Sequence, residues 1–420
     1  MTPATPEAEP ETVDSATQPI PEVSAADIES AAERLRGVAI HTPMEESRWL
    51  SSIVGGPVLL KCENLQRTGS FKIRGAFNRI SRLAAEECTH GVVAASAGNH
   101  AQGVALAAQM LGIKATVFMP EGAPIPKLNA TRAYGADVVF EGSVIEESLA
   151  GALKFAEETG AVLIHPFDHQ DIVAGQGTCG LEILEQAPEA ATVLVPTGGG
   201  GLIAGIATAL KSVRPDLQVV GVQAEQAAAY PESLRQGHPV GLASMNTMAD
   251  GIAVGKPGAV PFHAIEKYVD DVVTVSEESI SRALVLVLER AKLVVEPAGA
   301  VAVAAILDHP DRFATPAVAV LSGGNVDPLL LGKLIRHGMA AAGRYLSLRV
   351  RIPDRPGGLA RLLGELAAER ANVLEVVHER TLTTLSIDEV EVLLQLETRS
   401  TSHAEAVLTR LREHGYRVTA

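Results

Sequence analysis

Apolar side chains first fall into a regular pattern at Ile28, Ala31, Ala32 and Leu35, the i, i+3, i+4, i+7 spacing that gives a helix one buried face. Upstream, residues 1–25 hold five prolines and five acidic residues with no basic one. Such a stretch cannot bury enough apolar surface to offset its chain entropy, so a disordered acidic tail is expected over 1–25, with the folded chain starting at Ala26. Beyond it, short apolar runs rich in β-branched residues at 91–95, 115–119, 193–195, 219–222, 272–275 and 317–321 read as strands. Ala-rich helical stretches alternate with them: from Asn99, near Ile125, from Leu202 and over 279–291. That alternation predicts βαβ units around parallel sheets, an α/β class.

The texture changes at Tyr345. An alternating strand over 346–352 leads to a turn at 354–358 and a helix to about Arg370. Strands over 373–381 and 388–397, a helix over 402–414 and a last strand at Tyr416 follow. The order is βαββαβ, a separate ferredoxin-like module over 345–420 behind a body spanning 26–342.

Composition narrows the function classes. The chain has 420 residues, a formal net charge of −15 and only 3% aromatic residues. No basic run or dense Lys/Arg face appears, so neither nucleic acid nor an anionic membrane surface is an expected partner. The opening residues lack the basic start and apolar stretch of a secretory signal. No run of about 18 apolar residues could span a bilayer, and a cytoplasmic location is expected. Cys62, Cys88 and Cys179 are odd in number and widely spaced, which suggests buried free thiols rather than disulfides or a metal cluster. His165 and His169 lack further ligand spacing and read as parts of a packed loop, so no metal site is expected. Glu289, Arg290 and Lys292 read as the solvated face of a helix.

Four stretches carry candidate chemistry. The first is Thr68-Gly69-Ser70-Phe71-Lys72-Ile73-Arg74-Gly75-Ala76, a small polar turn that delivers one lysine to the start of a helix. Positive dipole and distance from water lower an amine's pKa there and free it for imine chemistry. The second is Ser96-Ala97-Gly98-Asn99-His100, between a strand and a helix, where backbone N–H groups can hold a carboxylate and the Asn99 amide a ring oxygen; an N-cap is its plain structural alternative. The third is Gly198-Gly199-Gly200-Gly201-Leu202. Its glycines allow close approach to a phosphate, and the following helix directs its free N–H groups at the anion. The fourth is Ser322-Gly323-Gly324-Asn325 at the end of a buried strand, where open α/β sheets gather ligands. The neutral Ser322 hydroxyl could hydrogen-bond a pyridine nitrogen, weakening an electron sink and favouring loss of a β-substituent.

Gly199, Gly201 and Ala204 also fit a relaxed dinucleotide pattern, with Glu225 at the expected place of a ribose ligand. An NAD-dependent oxidoreductase is therefore the rival from another class, although it leaves the other three stretches unexplained.

Taken together and in this order, the four stretches resemble the fold-type II pyridoxal-phosphate enzymes, and most closely the threonine dehydratases (threonine ammonia-lyases). The similarity covers about residues 26–342 and includes Glu63-Asn64-Leu65-Gln66 and Glu296-Pro297-Ala298-Gly299-Ala300. It implies a two-lobed, tryptophan synthase β-like body with a small lobe over about 67–165, and pyridoxal 5′-phosphate as cofactor. It further implies Lys72 as Schiff-base lysine and α-proton base with Phe71 beside it, and Asn99 on the cofactor's 3′-oxygen. Gly198, Gly199, Gly200, Gly201 and Leu202 would lie on the phosphate and Ser322 on the ring nitrogen. Ser96, Ala97, Gly98, Asn99 and His100 would hold the carboxylate of an amino-acid substrate.

The implied reaction is β-elimination from L-threonine, with L-serine as a second substrate. Serine racemases of the same fold are the near alternative. They carry a serine where this chain has Ala97, and a metal-binding Asp where it has Pro231 after Glu225. The C-terminal module, with Asp354, Arg355, Pro356, Gly357 and Gly358 in its first loop, resembles an ACT domain. That implies an amino-acid effector such as isoleucine near that loop, a role in isoleucine biosynthesis, and a homodimer or homotetramer; a dimerisation module without ligand is the alternative.

Overall fold

The computed structural model describes residues 20–123, 125–380 and 386–419. A helix, Ala25–Arg34, comes before two short strands, β1 (Met44–Glu46) and β2 (Val58–Lys61). The chain then leaves for a second lobe containing β3 (Val92–Ala95), β4 (Ala115–Met119), β5 (Asp137–Phe140) and β6 (Val162–Leu163), a parallel sheet of order β5-β4-β3-β6. It returns through β7 (Thr192–Pro196), β8 (Gln218–Ala224), β9 (Asp271–Val275) and β10 (Ala317–Val320). These complete a six-stranded sheet of order β1-β2-β10-β7-β8-β9, parallel except for β1. Strands covered by helices on both faces read as unbroken apolar runs, and β3, β4, β7 and β10 are buried throughout.

The last four strands are β11 (Tyr345–Pro353), β12 (Asn372–Glu379), β13 (Glu389–Glu397) and β14 (Arg417–Thr419). They form an antiparallel sheet of order β12-β13-β11-β14. The helices Gly358–Ala368 and Thr401–Glu413 complete the βαββαβ order. Leu348, Val350, Leu362, Val392, Leu394 and Leu411 form a core there separate from those of the two lobes.

Four expectations change. The chain is ordered before Ala26: Ser24 and Asp27 form a reciprocal capping box on the helix Ala25–Arg34, Val23 and Ile28 are buried together across it, and Glu22 pairs with Lys267. The rest of the expected tail, residues 1–19, lies outside the described residues, as does Thr381 at the end of an expected strand. The helix expected over 279–291 is α-helical at Glu277–Leu286 and continues as a π-turn, Val287–Ala291, ended by Lys292 in a left-handed conformation. Glu289 on that turn is not simply solvated, because Arg344 donates to it at 2.5 Å and ties the body to the start of β11. Cys62 and Cys179 are buried, but Cys88 is only half-buried.

Candidate active site

The Lys72 peptide and the Ser322 turn are brought together by backbone pairing. Thr68 and Gly69 turn through left-handed conformations (φ 62 and 69), which swings Ser70 into a bridge with Gly323. The Phe71 N–H then donates to the Ser322 carbonyl at 3.2 Å, and the Gly324 N–H to the Gly69 carbonyl at 2.9 Å. Lys72 follows as the first residue of the helix Lys72–Ile80. The helix Asn99–Leu111 packs on it so closely that a Cβ on Gly103 would lie 3.1 Å from the Lys72 carbonyl carbon.

Deeper in the same helix, Arg74 is fully buried and donates to both oxygens of Glu63 at 2.8 Å and to Glu182 at 2.6 Å. Lys61 reaches the other oxygen of Glu182 at 2.6 Å. Burial alone would raise the Glu63 carboxyl, but the guanidinium beside it holds it below the usual carboxylate range. This buried ionic lattice pins the lysine-bearing helix to the helix Gln170–Gln186. Removing one member of such a lattice strands the others, at a cost of about 3–5 kcal/mol.

Lys72, Ser96, Ala97, Gly98, Asn99, His100, the glycine turn and Ser322 all line one cavity of about 480 Å³ between the two lobes. The Lys72 Nζ donates to the Pro166 carbonyl at 3.1 Å and sits 5.2 Å from the Phe71 ring centroid. Burial pushes its pKa down to about 8, partly opposed by the charge of Glu296. Desolvation rather than the helix start is thus the larger influence on this amine.

The glycine turn follows β7, and Gly200 caps the helix Gly201–Val213 with φ 98, a conformation that suits glycine. The N-cap glycine offers no side-chain cap, so among the described residues the first N–H groups of that helix, on Gly201 and Leu202 in the cavity wall, have no capping side chain. A Cβ on Gly199 would run into the Phe167 ring, and one on Gly200 into the Tyr230 hydroxyl. A narrow turn of donors at a helix N-terminus suits a phosphate. At the far side the Ser322 hydroxyl is buried and, among the described residues, makes only a long 3.5 Å contact to the Ala298 carbonyl, a weak bond that a ring nitrogen could displace. The residues present therefore fit a phosphate-bearing aldehyde held at both ends.

Two expected contacts take a different form. The Gly98 N–H is taken by the Ser96 hydroxyl at 3.0 Å, so fewer donors remain in that turn. The His100 ring is buried against the Ile164 carbonyl at 2.7 Å and kept neutral, its pKa lowered to about 3 by burial and by the Lys72 charge.

The structure gives roles to residues that the motifs left without one. Glu296 is buried in the cavity wall and accepts from the Asn99 Nδ2 at 2.6 Å. Burial, with the charge of Asp250, lifts its pKa to about 7. Lys127 from the small lobe reaches Asp250 from the large lobe at 2.6 Å across the cavity mouth. One signal for Glu296 was present in the sequence: a lone acidic residue directly before the apolar helix Pro297–Asp308. Glu225, required by the dinucleotide alternative, is exposed and lies outside this cavity.

A parallel-sheet body with a half-buried, desolvated lysine in one cavity with a glycine-lined anion cradle defines a pyridoxal-phosphate enzyme. Residues 35–323 match the model of the pyridoxal-phosphate dependent enzymes, and the chain belongs to that family. It is 47% identical over 392 residues to the L-threonine ammonia-lyase of Thermotoga maritima, covering 93% of this chain and 98% of that one. The solved T.th. threonine deaminase is similar at TM-score 0.69 and 44% identity, over 72% of this chain and 99% of that one. Maize serine racemase is similar at TM-score 0.71 and 37% identity, over 74% and 96%. The family match displaces the dinucleotide alternative, and the cofactor is pyridoxal phosphate.

Proposed function

We propose that this chain is a threonine ammonia-lyase that converts L-threonine to 2-oxobutanoate and ammonia, and L-serine, as a second substrate, to pyruvate and ammonia. The observation that carries the reading is the half-buried Lys72 amine, with its pKa lowered to about 8, in one cavity with an uncapped helix N-terminus. When bound, the cofactor supplies an electron sink for the bond broken at Cα. Lys72 takes the Cα proton. The turn around Ser96 and Asn99 orients the substrate carboxylate, residues 198–202 hold the phosphate, and Ser322 donates to the ring nitrogen. The β-hydroxyl leaves as water, and hydrolysis of the product releases ammonia and the keto acid.

Ala97 carries no proton to return from the opposite face, which favours elimination over racemisation. Borohydride reduction of the holoenzyme should fix a pyridoxyl group on the peptide containing Lys72. Lys72→Ala should lower threonine turnover by about 10²–10⁴-fold or more; full activity in that variant would end the proposal.

The C-terminal module is read as an ACT domain that feeds back an amino acid such as isoleucine onto threonine breakdown. Support comes from its βαββαβ order and from the Thermotoga relative, whose 93% coverage reaches into residues 345–420 whereas the solved deaminase covers 72%. The strand β12 forms one edge of the sheet and exposes Leu374, Val376 and Val377, a surface suited to pairing with a second copy in a homo-oligomer. The free thiols fit a reducing compartment such as the cytoplasm.

A further inference from the structure

We propose that Asn325 is a positioning residue for the cofactor's ring oxygen, fixing which end of the Asn99 amide faces the cavity. The inference rests on the reading of Asn99 as the ligand of that oxygen. An asparagine side chain presents either a carbonyl or an NH2 group after a half-turn of its amide, and only the NH2 end can donate to a ring oxygen. A cavity residue of this kind needs something to choose between the two.

The choice begins at a backbone carbonyl. Asn325 lies over Gly69, where the left-handed turn leaves no room for a Cβ, and its terminal amide contacts the Thr68 carbonyl at 2.5 Å. That carbonyl only accepts, so the contacting group is the Asn325 NH2. The same NH2 lies 2.8 Å from Asn99, and its second hydrogen requires an acceptor there, which makes the facing atom the Asn99 Oδ1. The Asn99 NH2 must then point the other way. One of its hydrogens goes to Glu296 at 2.6 Å. The other has no protein acceptor among the described residues, and Asn99 lines the cavity.

An ionised Glu296 favours the same direction, because a carboxylate only accepts, but a protonated one also carries an O–H donor and could face either end of the amide. The direction comes from the Thr68 carbonyl, which does not titrate. The arrangement therefore holds the donor toward the ring oxygen throughout the working pH range. Asn325 touches no reacting atom and acts only through Asn99.

Asn325→Asp keeps the shape but cannot donate to Thr68 or Asn99, so the Asn99 amide should turn its carbonyl to the cavity. Measured on the holoenzyme, cofactor retention should weaken by about 10- to 100-fold, the worth of one charge-assisted hydrogen bond. The pH midpoint of the cofactor's visible absorbance should move with it. Asn325→Ala, which merely frees Asn99 to rotate, should give a smaller change in the same direction and serves if the Asp variant fails to fold.

In an Asn99→Ala background, Asn325→Asp should add nothing. A shift that persists there in full would mean that charge at 325 acts directly, and would overturn the inference. So would wild-type titration in both Asn325 variants when Asn99→Ala alone shifts it, an outcome that leaves the reading of Asn99 standing. If Asn99→Ala itself changes neither retention nor titration, the reading of Asn99 falls and the inference with it.

Discussion

Two turns in this molecule are built alike and placed differently. Gly200 after β7 and Gly357 after β11 each cap a helix in a left-handed conformation, φ 98 and φ 84, with no side chain on the helix N-terminus. Around Gly200, Tyr230, Pro261 and Ile265 close in and the turn faces the cavity between the lobes. Around Gly357 the loop from Asp354 to Gly357 is exposed, and Asp354 pairs with Arg380 at 3.0 and 3.2 Å in solvent. The same donors act in different media. In the cavity, burial moves the pKa values of Lys72, His100 and Glu296; in the module loop, pairing moves those of Asp354 and Arg380. Water and salt weaken the second set and hardly reach the first. An anchor for a resident cofactor and a site for a fluctuating effector would differ in this way.

The comparison can be broken most sharply at the glycines themselves. Gly200→Ala drives a methyl into the Tyr230 hydroxyl and within 2.9 Å of Pro261 Cβ. It should abolish cofactor retention, measured by absorbance after gel filtration. Gly357→Ala meets only the end of Arg361, at 3.6 Å, and should cost about 1–2 kcal/mol of left-handed strain in denaturant unfolding while leaving the cofactor bound. Equal effects at the two positions would erase the distinction.

A smaller effect separates the two regions by pH. The Glu296 pKa of about 7 lies above the ordinary carboxyl value of 4.5, so folding favours the protonated form. Its contribution to stability is complete below about pH 4.5 and is lost as pH rises toward 7. In cofactor-depleted protein, Glu296→Gln should therefore gain on the wild type between pH 5 and pH 8, by up to about 3 kcal/mol. A constant difference across that range would show that Glu296 does not titrate there.

The smallest expected effect is at Asp354. Asp354→Asn should leave the unfolding midpoint and the effector-free turnover unchanged while weakening the response to isoleucine. Raising salt should mimic it in the wild type. A salt-independent response would mean that the effector does not use this exposed pair.

Much of the fold was legible because its signals are short in range. The apolar runs at 115–119 and 193–195 fall on β4 and within β7, and the helices from Asn99 and near Ile125 begin where the pattern puts them. The order βαββαβ could likewise be read from alternation and turn residues. The tail failed at its end, because Val23 is ordered by contact with Ile28 and not by the composition around it. The cavity was legible only in part. Its backbone turns have sequence signatures, whereas the parts played by Glu296, Pro166 and Lys127 emerge only when the fold makes them neighbours of Asn99, Lys72 and Asp250.

By itself, the sequence determined where strands, turns and helix starts lie, and through four motifs which residues offer an amine, a phosphate cradle and a ring-nitrogen donor. Propensity, glycine geometry and helix ends are properties of a few consecutive residues. Tertiary structure alone decided that Asn99 would meet Glu296, 197 residues away, and that Asn325 would reach Thr68 across 257. It also decided that Lys72 would lose its water. Desolvation depends on everything packed around a group, and no local stretch of chain carries that information.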